Sequence, residues 1–470
     1  METREYDVVV IGGGPAGENA AQYAVEGTGM SSAIVERELL GGECSYWACM
    51  PSKALLRPIA VADLTADLGG VSTAHVAPKA LLERRDYWVS SYDDAGQDTW
   101  ADGAGIAVVR GAGRLVGERT VRVTSSDGDV DVVARRAVVI ATGSEPVVPP
   151  MYADALPWGS RDATGVVEVP DRLAIVGGGV VACEAAIWMK ALGSDVTLVV
   201  RDQRLLGRTE PFAGEAVLAG LRERGITVHL GTEVSDVRRQ SPEATGIGRV
   251  HGGTVTLTTS AGELEADELL LSIGRTPRLD DLGLDSVGLT ADDVSAGRLP
   301  EWLHAVGDAS GGPPLTHWGK HQARVVGARI AAAAAGEVAW EPDREAPVPQ
   351  VVFSDPEVAS VGMTEAEARA AGHDVVVSRV PTSSAAGTGL LRDTVVGDSQ
   401  VVVDASTHLL LGATFVGVEA GELVHAATVA IVGGVPVHVL RHAVASYPTA
   451  SELWLRLLEE LPAELRRPPA

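Results

Sequence analysis

The chain is short of cysteine, lysine and aromatic side chains. Three cysteines in 470 residues cannot build the disulfide framework of a small secreted domain, and their odd number suits a reducing cytosol. No run of about 18 uncharged apolar residues occurs; the nearest case, residues 331–335, is brief and flanked by Arg329 and Glu337. No membrane partner is expected. Positive charge is scarce too, and a formal net charge of −25 opposes binding to nucleic acid or to an anionic bilayer. The start METREYDVVVIGGG passes from charged residues straight into an apolar strand, without the basic region and cleavage site of a secretory signal, so a cytoplasmic location is expected. Alanine, valine and glycine are abundant, and the length allows roughly three domains.

Two of the three cysteines lie in one segment, GGECSYWACMPSK at residues 41–53. A C-x4-C spacing alone leaves open a metal half-site or two unrelated buried thiols. Context argues against both. A zinc site needs about four ligands, yet the remaining cysteine, Cys183, sits elsewhere and no histidine pair lies near Cys44 or Cys49. No metal site is expected, and two thiols acting as reactants fit better.

Residues 6–37 and 171–201 share one plan at an offset of 165: apolar strand, glycine turn, helix, strand. In such a unit the first glycine permits a tight turn, the second lets backbone approach a pyrophosphate, and the third packs helix against strand, with the helix N-terminus facing negative charge. The first copy supplies Gly12, Gly14 and Gly17, with Pro15 and Ala16 between them; the second supplies Gly177, Gly179 and, at the third place, Ala182. Each copy has the strand context that makes a glycine motif specific. Glu36 lies 24 residues after Gly12 and Arg201 lies 24 after Gly177. An acid there accepts a bond from a ribose 2′-hydroxyl, whereas an arginine suits a 2′-phosphate. FAD is therefore expected at the first site, with Arg37 beside Glu36, and NADPH in preference to NADH at the second, with Arg204 or Arg208 as further clamps.

Two dinucleotide units and a C-x4-C pair make the chain resemble the class I pyridine nucleotide-disulfide oxidoreductases, the family of dihydrolipoamide dehydrogenase, glutathione reductase and mercuric reductase. Further segments match in the family's order: AVVIATGSEP at 137–146, LLLSIGRTPR at 269–278, LHAVGDASGG at 303–312 and PQVVFSDPEVASVGMTEAEA at 349–368. The resemblance implies an α/β fold with two Rossmann-like dinucleotide-binding domains and a C-terminal α+β interface domain. FAD would bind residues 1–150, completed by 278–342; NAD(P) would bind 151–277; residues 343–470 would form the dimer. Residues 342–349, PDREAPVP, read as a linker, residues 321–336 as an Ala-rich helix, and 381–389 as a loop without an assigned role.

The resemblance also implies roles. Electrons pass from reduced nicotinamide through flavin to the disulfide, with Cys49 against the flavin and Cys44 as the outer thiol that meets the substrate. Lys53, one of four lysines, pairs with Glu184 near the flavin N5. Gly42, Ala141, Thr142, Gly143, Gly274 and Gly307 line the FAD path, and Asp308 bonds its ribityl chain. Leu315, Thr316 and His317 open a helix whose N-terminus stabilises negative charge on reduced flavin. Cys183 reads as a small buried core residue.

The pattern breaks near the C-terminus. Disulfide-substrate members carry a His-Pro-Thr-x-x-Glu segment that reaches the partner subunit's site. Here it is Tyr447-Pro448-Thr449-Ala450-Ser451-Glu452. Tyrosine, with a pKa of about 10, is a poor base beside histidine at about 6.5. Ordinary dithiol turnover is thus in doubt. Mercuric reductases carry tyrosine near this place but also a C-terminal cysteine pair, which this chain lacks after Cys183. Tyr46 and Trp47 between the cysteines either shape an aromatic pocket or pack against neighbouring helices. The expected activity is a homodimeric, NADPH-dependent reduction of the Cys44–Cys49 disulfide and then of a small-molecule acceptor. Direct reduction of a quinone or dioxygen by flavin, or a low-turnover redox sensor, are the alternatives.

Overall fold

The computed structural model describes residues 2–340 and 346–468. The proposed linker 342–349 lies partly outside the described residues. The chain forms two compact units, one of Met1–Pro51, Glu83–Val147 and Gly274–Pro342, the other of Ser52–Leu82, Val148–Ile273 and Asp343–Ala470.

In the first unit, a parallel sheet runs in the order Ile106–Arg110, Ser32–Glu36, Glu2–Ile11, Gly128–Ile140, and Leu303–Ala305 pairs in parallel with the last of these. Its strands are apolar on both faces (Val8, Val9 and Val10 are fully buried), as a parallel sheet covered on two sides requires. Thr120–Ser125 and Ala112–Gly117 extend it as an antiparallel meander. The helix Pro15–Val25 follows the first strand, with Pro15 in its first turn, where a missing N–H costs nothing.

That helix packs on Thr316–Ala335 through glycines at two points. A Cβ on Gly319 would lie 3.4 Å from the Cβ of Ala16, and one on Gly327 would lie 2.8 Å from that of Tyr23. Both numbers rise together, so the two helices run in the same direction. The expected Ala-rich helix from His321 is present and begins earlier, at Thr316.

In the second unit the parallel sheet has the order Thr227–His229, Asp195–Val199, Arg172–Val176, Glu268–Leu271, and the helix Val180–Leu192 is buried along most of its length. A three-stranded antiparallel sheet covers Val234–Arg239, Val255–Thr259 and Gly262–Ala266. A five-stranded antiparallel sheet runs Gln350–Val352, Val358–Gly362, Leu409–Val416, Asp398–Asp404, Val375–Pro381. Residues 381–389 are not a plain loop: Thr382–Ser384 form a 3-10 turn and Ala386–Leu391 a helix. Thr388 Oγ1 donates to the carbonyls of Thr382 and Ala385, and a Cβ on Gly387 would meet the Thr449 backbone at 2.1 Å. Glycine is therefore required where this helix seats on the C-terminal segment.

Candidate active site

The thiol segment is seated on the first glycine turn. Gly42 has φ +58, and a Cβ there would fall 2.7 Å from the Cα of Gly14; Gly41 N–H donates to the Gly13 carbonyl at 2.7 Å. Two glycine loops thus meet back to back, which accounts for the pair that precedes Cys44. Cys44 lies in the short helix Gly42–Tyr46, and Cys49 opens the helix Cys49–Ala66. Both thiols are unbridged and half-buried. Cys49 Sγ lies 3.1 Å from Thr316 Oγ1, so it stands at the start of its own helix and beside the start of Thr316–Ala335. Two positive dipole ends favour its thiolate. Cys44 has its pKa raised by a hydrogen bond to Cys49 and by burial, opposed by a hydrogen bond to Thr316 and by the charge of Lys320. The pair therefore carries one proton most readily on Cys44.

Of the aromatics between the thiols, Tyr46 is buried, its phenol pushed up to about 12 by burial and by the carboxylates of Asp94, Glu18 and Asp93. Trp47 stacks on Tyr92 with ring centroids 4.4 Å apart. Packing accounts for both side chains.

The first glycine turn fits FAD. Gly12 has φ +105, and a Cβ there would lie 2.3 Å from the Ala141 carbonyl oxygen; one on Gly17 would lie 1.9 Å from that of Gly12. No side chain is possible at either place, so the turn stays open to a pyrophosphate. Glu36 accepts from Gly13 N–H at 2.6 Å and from Glu38 N–H at 2.7 Å, which presents its buried carboxylate at the strand end; Arg37 next to it is exposed. Thr142 Oγ1 donates to the Arg278 carbonyl at 2.6 Å, and Arg278 N–H donates to the Gly143 carbonyl. Asp308, after Gly307, is held by the Ser144 hydroxyl, which in turn accepts from Arg275 Nε at 2.7 Å. Sequence reasoning missed Ser144 and Arg275. Each directly follows a motif residue, Gly143 and Gly274, and only the pairing of Ser144–Pro146 with Arg275–Pro277 brings them together. His317 lies on the exposed side of the first helical turn after Leu315.

In the second unit, Lys53 Nζ donates to Glu184 Oε2 at 2.7 Å, and the other oxygen, Oε1, accepts from Phe353 N–H at 3.0 Å. The Lys53 ammonium also sits 4.6 Å from the centroid of the Phe353 ring. Glu184 is almost fully buried, its side chain 4% exposed, so both of its oxygens need these partners. Phe353 is a third member that the sequence did not reveal, although it is one of only three phenylalanines. Cys183 is fully buried beside this acid and its thiol is pushed up to about 12 by burial, which leaves it inert.

Arg201 follows the strand Asp195–Val199 with its side chain 76% exposed and, among the described residues, a 3.6 Å pair to Asp202. Arg204 donates to the Gly207 carbonyl, and Arg208 is exposed. Gly177, at φ +132, faces the Ser272 carbonyl as Gly12 faces that of Ala141. Gly179 caps the second helix, and Ala182 is buried within it.

The C-terminal segment departs from a histidine–glutamate dyad. Tyr447 is 75% exposed. Glu452 is buried, and its Oε1 accepts from Arg456, one turn further on, at 2.8 Å. Tyrosine and glutamate are not joined. Among the described residues no group of three or more His, Cys, Asp or Glu could hold a metal ion, and no helix is long and apolar enough to cross a membrane.

Comparison with known proteins shows the family. The model of the pyridine nucleotide-disulphide oxidoreductase family matches residues 6–323, and that of its dimerisation domain matches residues 348–457. The chain belongs to this family. It is 33% identical over 459 residues to dihydrolipoyl dehydrogenase of Chlorobaculum tepidum, covering 95% of each chain. It is 34% identical over 463 residues to mercuric reductase of Shigella flexneri, covering 95% of this chain and 79% of that protein. In fold it resembles LpdA from Mycobacterium tuberculosis, with a TM-score of 0.82 at 24% identity over 98% of this chain and all of the other. It also resembles the HOCl-induced flavoprotein disulfide reductase RclA from Escherichia coli, with a TM-score of 0.81 at 25% identity over 97% and 99%. The protein is an FAD-dependent NAD(P)H:disulfide oxidoreductase-type enzyme of class I, and its dimerisation domain supports a homodimer.

Proposed function

We propose that this enzyme uses NADPH to reduce the Cys44–Cys49 disulfide and passes the electron pair to a small-molecule acceptor other than lipoamide. The observation that carries this reading is the thiol pair itself: Cys49 at two helix N-termini and 3.1 Å from Thr316, with Cys44 hydrogen-bonded to it. Bound FAD would supply two-electron transfer between nicotinamide and disulfide, held by the Gly12–Gly17 turn, Glu36 and Asp308. The rest is the work of side chains. In the reduced pair Thr316 and the helix ends favour the Cys49 thiolate, and Cys44 releases its proton to solvent before its sulfur attacks an acceptor. Lys53, positioned by Glu184 and Phe353, is the compact cation that the family likeness puts near the flavin N5.

NADPH is preferred because Arg201 is exposed and bound only by a long surface pair, so its guanidinium is available to a 2′-phosphate. Lipoamide is disfavoured because Tyr447 is no base and Glu452 is engaged by Arg456. The experiment is steady-state turnover of the purified protein with each nucleotide against a panel of acceptors: lipoamide, glutathione disulfide, quinones and dioxygen. NADPH-dependent reduction that disappears in Cys44→Ala supports the relay; turnover undiminished in that variant favours direct reduction of a quinone or dioxygen.

A further inference from the structure

The first helix carries a half-buried acid, with one carboxyl oxygen fully enclosed, that neither the glycine turn nor the thiol pair uses. Glu18 sits one turn into Pro15–Val25, and its Oε1 is buried without a hydrogen-bond partner among the described residues. A carboxyl with one oxygen buried and without a donor is disfavoured as a carboxylate. The contact between Ala16 and Gly319 brings this turn against the start of Thr316–Ala335. On that second helix, Thr316 touches Cys49, and Lys320, half-buried, lies one turn further on, on the same face. Its ammonium acts in two directions, favouring the ionised forms of Glu18 and of Cys44.

We propose that Lys320 is a positioning residue that promotes thiolate formation in the Cys44–Cys49 pair, and that Glu18 gates it by taking up or releasing one proton. The inference rests on the dithiol relay read above. Burial, with the nearby Glu36 carboxylate, pushes Glu18 up to about 7 against the pull of Lys320. Below that pH Glu18 is neutral, and the lysine charge acts undivided on the thiols. Above it the new carboxylate competes for Lys320 and adds negative charge nearby, so thiolate formation is opposed as pH rises. Tyr46, whose phenol also feels Glu18 together with Asp93, Asp94 and Arg110, stays protonated throughout. The acid and the cation together flatten the pH dependence of thiol reactivity around neutrality. No atoms beyond one proton on Glu18 are exchanged.

The test is the alkylation rate of Cys44 and Cys49 with iodoacetamide, followed by mass spectrometry across pH, in the holoenzyme reduced with dithiothreitol. Wild type should give a profile shallower than a single titration, with its break near pH 7. Lys320→Gln should raise the thiol midpoint by about one unit, slowing alkylation at neutral pH about tenfold, and Lys320→Arg should restore it. Glu18→Gln should remove the break and speed alkylation on the alkaline side. A wild-type midpoint in Lys320→Gln, or an unchanged profile in Glu18→Gln, overturns the proposal. Glu18→Gln also serves if a lysine variant fails to fold. Chemical reduction separates this from the relay: if NADPH leaves both thiols oxidised while these shifts occur, the relay fails and the charge gate stands.

Discussion

The two glycine motifs share a plan and differ at each place where a ligand would discriminate. In the first, Gly17 lies so close to the Gly12 carbonyl that no side chain fits, and the acid at the strand end is buried and hydrogen-bonded to two backbone N–H groups. In the second, Ala182 occupies the third place, buried within its helix, and the strand-end residue is an exposed arginine. The first motif is a finished socket, suited to a cofactor that stays. The second is open at the rim, suited to a nucleotide that comes and goes. The acids on the two helices differ in the same way: Glu184 has a cation and a backbone donor, whereas one oxygen of Glu18 has no partner among the described residues.

The largest expected break in this comparison is Gly17→Ala. Its Cβ would overlap the Gly12 carbonyl, so the purified protein should lose its flavin, read as flavin absorbance per chain after gel filtration. The mirror change Ala182→Gly should keep the flavin and cost about 1 kcal/mol or less of stability. Next comes Glu184→Gln, which leaves Lys53, about one-third exposed, without its counter-charge; losing one charge-assisted hydrogen bond costs about 1.5–3 kcal/mol, visible as a lower urea midpoint. Arg201→Glu follows. Loss of one charge-assisted bond to a 2′-phosphate, about 1.5–3 kcal/mol, should shift the NADPH:NADH ratio of kcat/KM toward NADH by about 10- to 100-fold.

The smallest effect is on stability against pH. Glu18 is raised above its ordinary value of 4.5 to about 7, so the folded state holds this proton more tightly than the unfolded chain does. The contribution is full below the ordinary value and is lost as pH rises through about 7. In thermal melts Glu18→Gln should therefore match wild type only below the ordinary value of 4.5 and gain on it progressively as pH rises to about 7. Equal melting temperatures across that range would show that Glu18 ionises without cost.

Much of this was legible in the sequence because it rests on backbone geometry that only glycine permits. Gly12, Gly14, Gly17 and Gly177 announce their turns, and the contrast of Glu36 with Arg201 follows from equal spacing. Lys53 and Glu184 came from the family likeness and meet at 2.7 Å. Phe353, Ser144 and Arg275 were illegible because their work is tertiary: a backbone N–H, a hydroxyl and a guanidinium give no periodic signal. The helix Ala386–Leu391 was hidden by its glycines, which read as loop until Gly387 is seen against Thr449. The detachment of Glu452 from Tyr447 needed Arg456, one turn away, to be seen holding it.

The central claim is that NADPH electrons come to rest on Cys44 and Cys49. The most direct measurement is anaerobic addition of one equivalent of NADPH to the oxidised holoenzyme, followed by differential alkylation and mass spectrometry alongside the flavin spectrum. Both cysteines should become alkylatable while most of the flavin returns to its oxidised absorbance. Bleached flavin with Cys44 and Cys49 still bridged would contradict it.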